Sequence, residues 1–296
     1  MVAFHSFWSE PNRCRNGGEV LFPDFEQLTA ILSALEWQRH NGPIRMVTDT
    51  AGLEFFEKSG LRGFWNQMVP ELDALQGKID PIAFWAAGKL YALQTMTLPC
   101  VMLDTDLIIW ENIDERLEAD VVAAHPEPLN PGTYPDPSGF RFRDDYVFPK
   151  TWNTALPAAN TAFLFIRDPA FRDFYVSEAY RFMKYLRVEN LDPVQSMCFA
   201  EQRLLPMCVE EAGRTLSYLM LPEQISQQQF ITHTWGYKQL FRANRDARKF
   251  FCARCVRRII SDFPEEAKKL NDCRDLKQYY VEETQKIPEE KERGIQ

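Results

Sequence analysis

Asp104-Thr105-Asp106 stands between two apolar runs, Cys100-Val101-Met102-Leu103 before it and Leu107-Ile108-Ile109 after it. Carboxylates in such surroundings need partners, because a buried unpaired charge is costly. Two of them one residue apart could take a hard cation such as Mg²⁺ or Mn²⁺, which would neutralise a diphosphate and assist its departure as a Lewis acid. The plainer reading is an acidic turn after a buried strand, with Asp106 capping whatever follows.

The elements around this turn favour a ligand site. Residues 100–103 read as a strand, so the two acids sit at its C-terminal end, the edge where open α/β sheets bind ligands. Residues 2–8 read as a first strand that stops at Ser9-Glu10-Pro11. Phe25, Leu28, Ile31, Leu32 and Leu35 then recur on one helical face until Asn41-Gly42-Pro43 ends the segment. Residues 44–48 form a second compact strand running into Asp49. Strand, helix, strand is how a parallel sheet with covering helices begins. Helices are further expected over 52–59, 84–96, 169–186 and 193–205, and strands over 107–110 and 161–166. Prolines and glycines crowd the stretch from Pro126 to Lys150, which reads as a long loop or lid. Residues 239–270 read as helical and basic, and residues 276–296 as a charged tail whose end frays.

Composition bounds the function. A chain of 296 residues with 45% hydrophobic content can bury a sizeable core, and residues 1–275 are expected to form a single α/β domain with a mostly parallel central sheet flanked by helices. A formal net charge of -8 argues against a general nucleic-acid binder, which needs surplus cations to displace phosphate counterions. No apolar stretch approaches the roughly 20 residues that cross a bilayer, and nothing at the start reads as a secretion signal. A cytoplasmic protein is expected. Seven cysteines, an odd count, suit free and mostly buried thiols. Cys252 and Cys255 have metal-type spacing but no second close pair, so they read as one face of a core helix.

Gly88-Lys89-Leu90, on a helix, followed by Val101-Met102-Leu103-Asp104-Thr105-Asp106, resembles the glycogenin-like glycosyltransferases of the GT-A fold. That resemblance implies that Lys89 approaches the donor phosphates, and that Asp104 and Asp106 bind a divalent metal and a ribose or sugar hydroxyl. Further segments match in order. Asn160-Thr161-Ala162 looks like the family's Asn-Ser-Gly step, whose asparagine contacts the transferred sugar, with Ala162 in place of glycine. Glu201-Gln202 is similar to the family's Asp-Gln pair near the reacting carbon, with a methylene added. His233 and Lys238, in His233-Thr234-Trp235-Gly236-Tyr237-Lys238, resemble the late segment that supplies an imidazole ligand and a phosphate-binding lysine. The lysine falls one residue early here and Pro-Trp does not follow. Taken singly, such a histidine is more often structural, Asn160 a turn residue and Glu201 a solvated helix face. Their ordered conjunction carries the resemblance.

The resemblance implies transfer of a hexosyl group from a nucleotide-diphosphate sugar, a UDP-sugar foremost, to a hydroxyl acceptor. An imidazole beside two carboxylates favours Mn²⁺ over Mg²⁺. Glu201 is the candidate base or nucleophile. His5, Phe7 and Trp8, ending the first strand, are expected to stack on the nucleobase. Two rivals stay open: a sugar nucleotidyltransferase or hydrolase using the same diphosphate site, and a non-catalytic relative that only binds a ligand. The basic stretch over 242–258 could face an anionic acceptor or a membrane surface, or be a helix balanced by the acidic tail.

Overall fold

The computed structural model describes residues 1–144, 146–189, 191–227 and 230–292, with side chains for all of these except 226, 235 and 287–292. In chain order the elements begin β1 (Val2–Phe7), α1 (Ser9–Arg15), α2 (Asp24–His40), β2 (Ile44–Thr48), α3 (Thr50–Lys58), β3 (Gln67–Val69), α4 (Ala87–Thr95), β4 (Cys100–Leu103), β5 (Leu107–Ile109) and β6 (Val121–Glu127). They continue with β7 (Ala158–Ile166), α5 (Pro169–Tyr185), α6 (Pro193–Cys198), a π-helical turn (Phe199–Arg203), α7 (Leu204–Glu211), β8 (Leu216–Tyr218) and β9 (Ile231–His233). The last described helices are α8 (Lys238–Ala243), α9 (Arg245–Asp262), α10 (Pro264–Ala267) and α11 (Lys277–Glu292).

Among the described residues seven strands form the central sheet in the order β3-β2-β1-β4-β7-β6-β8, and only β7 runs against the rest. The expected α/β architecture, a mostly parallel sheet between helices, is what the chain adopts. Alternation along each strand divides the interior into two cores. Ala3, Val101, Leu103 and Phe163 face α2 and α9, whereas Phe4, Cys100, Met102 and Leu164 face α4, α5 and α7. The two-stranded ribbon β5-β9 crosses beside α2 and brings residue 107 opposite residue 233.

Local chemistry sets the joints. Asp49 caps α3 by accepting from the Gly52 amide at 2.8 Å, and a side chain at Gly52 would have no room, since its Cβ would lie 2.0 Å from Thr48 Oγ1. Gly88 likewise lets α4 press on the end of β1, where a Cβ would meet that of Trp8 at 2.8 Å. Asp168 and Asp192 cap α5 and α6, each followed by proline at the first helical position.

Two sequence expectations change. The loop expected over 126–150 starts later, because Pro126 and Glu127 end β6, a strand the proline-rich composition conceals. Proline is tolerated there: β8 pairs with Val121, Val122 and Ala123 and the Met220 amide still reaches the Ala124 carbonyl, but among the described residues no strand pairs with Pro126 on this side of β6. The charged tail is also more ordered than expected. Lys277–Glu292 is helical and lies along α9, with Leu276 and Glu283 buried, and only 293–296 of the expected frayed end lies outside the described residues. The cysteines are all free, and Cys100, Cys208, Cys252, Cys255 and Cys273 are buried, as expected. Among the described residues no helix is long and apolar enough to cross a membrane.

Candidate active site

Beyond the end of β4 the chain turns sharply, the Leu107 amide donating to the Asp104 carbonyl at 3.1 Å, and the turn opens two carboxylates into one cleft. The Asp104 amide donates to the Ala162 carbonyl at 2.8 Å, which fixes the turn against β7. The Thr234 amide donates to the Asp106 carbonyl at 3.0 Å, which fixes it against the end of β9. Residues far apart in sequence thereby converge. The cleft, about 180 Å³, is lined by Ser6, Trp8, Lys89, Asp104, Asp106 and Lys238 among others.

Its deep half is built on Lys89. The ammonium of this buried lysine lies 2.7 Å from Asp104 Oδ1 and 2.6 Å from Glu201 Oε1. Burial alone would discharge it, but the two carboxylates outweigh that and raise its pKa, so it stays protonated. Glu201 Oε1 also accepts from Thr161 Oγ1 at 2.7 Å, and Tyr175 donates to the Glu201 carbonyl at 2.6 Å. Burial pushes the Glu201 carboxyl up, against the pull of Lys89. The π-helical turn puts Glu201 there; such single turns recur at functional sites because they re-aim successive side chains. Arg203 of the same turn donates to the carbonyls of Thr154 and Leu156, pinning the long loop to this helix. Gln202 points to that loop and accepts from Tyr134 at 2.6 Å.

The rim half is built on Asp106. Lys238 lies 2.9 Å from Asp106 Oδ2, and His233 Nε2 is 3.7 Å from Oδ1. Burial would raise the Asp106 pKa, but the nearby His233 imidazole and the Lys238 charge hold it well below the usual carboxylate range. One ligand atom from each of Asp104, Asp106 and His233 fits within 4.8 Å of the others. Ligands around an octahedral cation bound at about 2.1 Å stand roughly 3–4.2 Å apart, so a small inward movement would let these three share one ion. Two oxygen donors and one imidazole suit a hard or borderline cation, and Cys252 and Cys255 join no such cluster among the described residues.

Asn160 stands inside β7 rather than ahead of it. Its Oδ1 accepts from the Ala162 amide at 3.0 Å, and its Nδ2 donates to Glu127 Oε1 at 3.1 Å. Glu127, and His125, whose Nδ1 is 3.6 Å from Glu127 Oε1, are neighbours of Asn160 that the sequence reading did not single out. A signal existed: Val121 to Ala124 is an apolar run ending in two polar groups one residue apart, the same grammar as 100–106.

The nucleobase role expected of His5 is corrected. The ring is fully buried, and Trp65 Nε1 donates to its Nδ1 at 3.0 Å. Indole nitrogen only donates, so Nδ1 carries no proton and Nε2 must donate to Ser33 Oγ at 3.0 Å, which in turn donates to the Leu107 carbonyl at 2.5 Å. His5 therefore braces the acidic turn from behind. Trp8, mostly buried, does line the cleft, while Phe7 packs among Phe22, Phe55 and Phe56 as well as reaching its edge.

Solved structures with a similar chain path include mouse xyloside xylosyltransferase 1 in its apo form, at 16% identity and a TM-score of 0.38, covering 74% of this chain and 85% of that one. The glycosyltransferase GlyE of Streptococcus pneumoniae TIGR4 is similar at 13% identity and a TM-score of 0.36, over 74% of this chain and 45% of its own. The galactosyltransferase LgtC in complex with donor and acceptor sugar analogs is similar at 8% identity and a TM-score of 0.35, over 77% of this chain and 78% of its own. No curated protein matches the sequence. The profile of a family of unknown function, DUF6734, matches residues 1–273, and the chain belongs to that family.

Proposed function

We propose that the protein is a metal-dependent glycosyltransferase that moves a hexosyl group from a nucleotide-diphosphate sugar, a UDP-sugar foremost, to a hydroxyl acceptor. The observation that carries this reading is the meeting of Asp104, Asp106 and His233 within 4.8 Å, at a strand end, between a largely buried lysine, Lys89, and a partly exposed one, Lys238. A Mn²⁺ or Mg²⁺ ion held by these three would offset diphosphate charge and act as Lewis acid for the leaving nucleotide. Lys89 and Lys238 would neutralise phosphate oxygens from opposite sides of the cleft, each already held in its charged form by a carboxylate. Asn160 and Gln202 would face the sugar.

Glu201 takes a different part from the base or nucleophile expected of it. Its carboxylate is engaged by Lys89 and Thr161 and is almost fully buried, so we assign it as the positioning residue that aims Lys89. Glu127, beside Asn160 and partly exposed, is the carboxylate better placed to meet an acceptor.

Isothermal titration of UDP with and without Mn²⁺ tests the site, and incubation with UDP-sugars tests the reaction. UDP should bind only with the cation, and Asp106→Asn should weaken that binding on the order of 100-fold or more while leaving the melting temperature nearly unchanged. Metal-dependent binding retained in Asp106→Asn would falsify the ligand assignment. Pyrophosphate released from UTP and a sugar 1-phosphate would mark a nucleotidyltransferase, free sugar released from the UDP-sugar would mark a hydrolase, and UDP binding without any turnover would mark a binding protein.

A further inference from the structure

Beside the β5-β9 ribbon a groove of about 760 Å³ opens along α8 and α9, lined by Trp110, Tyr237, Leu240, Phe250, Phe251 and Arg254 among others. Its carbon is exposed to an unusual degree: Phe250 is 62% exposed, Tyr237 50% and Leu240 47%. Contiguous apolar surface of this kind, rimmed by polar groups, marks an interaction face rather than ordinary surface.

The charge around it narrows the occupant. Residues 239–261 carry seven basic side chains and one acid, Asp246, in a chain of net charge -8. Four of the seven are neutralised by the body of the protein: Arg242 by Glu26, Arg248 by Asp24, Arg257 by Glu283 and Arg258 by Asp262. Arg245, Lys249 and Arg254 are exposed and form no ion pair among the described residues. The Arg254 guanidinium lies 5.8 Å from the centre of the Phe250 ring, so cation and carbon are offered side by side.

We propose that this face docks the protein on an anionic bilayer surface, with Phe250, Leu240 and Tyr237 entering the headgroup layer and Arg245, Lys249 and Arg254 meeting lipid phosphates. An amphipathic surface with cations beside bulky apolar tips satisfies both requirements of interfacial binding at once. A second copy of the chain fits poorly, because a two-fold interface would set these unpaired cations against their own images. This docking is independent of any donor chemistry in the cleft.

Co-sedimentation of the full chain with phosphatidylcholine vesicles, with and without phosphatidylserine, tests it. Binding is expected only with the anionic lipid and should fall steeply with added salt. Leu240→Ser with Phe250→Ser, and Arg245→Glu with Arg254→Glu, should each lower the bound-to-free ratio by about tenfold or more. All four positions are exposed, so circular dichroism melts should match the parent; should a double variant melt early, Arg254→Glu alone carries the test. The proposal is overturned by absence of binding to the anionic vesicles, by equal binding to both compositions, or by undiminished binding of the folded variants. Sedimentation velocity that shows self-association lost in Phe250→Ser, without vesicle binding, would assign the face to a second copy instead.

Discussion

The deep and rim halves of the cleft use the same residue types to different ends. Lys89 is buried between Asp104 and Glu201, and every group around it is engaged by another: Thr161 by Glu201, Tyr175 by the Glu201 carbonyl. Lys238 reaches a single carboxylate, Asp106, and its side chain is 29% exposed. A charge that water cannot reach must be matched completely, so the deep half is part of what holds α4, β4 and the π-helical turn together. A charge at the rim can exchange its protein partner for a ligand at modest cost. The difference separates charges whose partners the fold fixes from charges free to change partner.

Neutralising each lysine is the strongest way to break that contrast. Lys89→Met leaves Asp104 and Glu201 facing each other without a cation, and removal of one member of a buried ionic cluster costs about 3–5 kcal/mol. Lys238→Met leaves the buried Asp106 carboxylate with His233, but the lysine it loses is 29% exposed and water can take its place in part, so the cost should fall to about 1–2 kcal/mol. Urea unfolding of the two variants should therefore differ in the stated order. Equal losses would mean that the two halves are mechanically equivalent.

The rim should instead respond to the cation. His233→Ala removes the imidazole at the end of β9, where the ring is partly exposed and the strand is held by its backbone ladder to β5. Loss of one of three ligands should weaken Mn²⁺ on the order of 100-fold, or about 2.7 kcal/mol, with little change in melting temperature. Titration of the apoprotein with Mn²⁺, read by calorimetry or electron paramagnetic resonance, gives the number. Unchanged Mn²⁺ affinity would remove His233 from the ligand set and leave it a structural residue like His5.

Much of this was legible in the sequence, and the failures have physical causes. Asp104 and Asp106 could be placed because an apolar strand running straight into two acids leaves few arrangements that keep the acids near water. The parallel half of the sheet was readable for the same reason: β1, β2 and β4 are buried runs with clear ends. β6 was not, because Pro126 and the prolines after it resemble a loop, and only the pairing of His125, Pro126 and Glu127 with β7 shows that the strand runs on through them. Glu201 was found but its part was not, since a one-dimensional pattern cannot tell which side of Lys89 a carboxylate occupies. His5 was misread because an aromatic strand end looks the same whether its ring faces a cleft or a tryptophan. Burial decides such cases, and burial belongs to the assembled fold.

His5 offers the finest test of the distinction between groups that act and groups that brace. Burial pushes its pKa down to about 3, against the opposing pull of the Asp106 charge. In the unfolded chain the ring titrates near 6.5, so between these values the unfolded state binds a proton that the native state refuses. The neutral ring's contribution is thus complete above about pH 6.5 and is lost as the pH falls toward 3, at about 1.4 kcal/mol per pH unit. Lowering the pH from 7 to 5 should cost about 2 kcal/mol through this residue alone, measured as a shift in urea midpoint at constant m-value. His5→Gln keeps a donor and an acceptor beside Ser33 and Trp65 without the titration, and should flatten that slope by about one proton while leaving Mn²⁺ affinity at pH 7 nearly unchanged. An undiminished acid slope in His5→Gln would show that the ring already accepts its proton in the folded protein, and that the hydrogen-bonded chain from Trp65 to Leu107 does not hold it neutral.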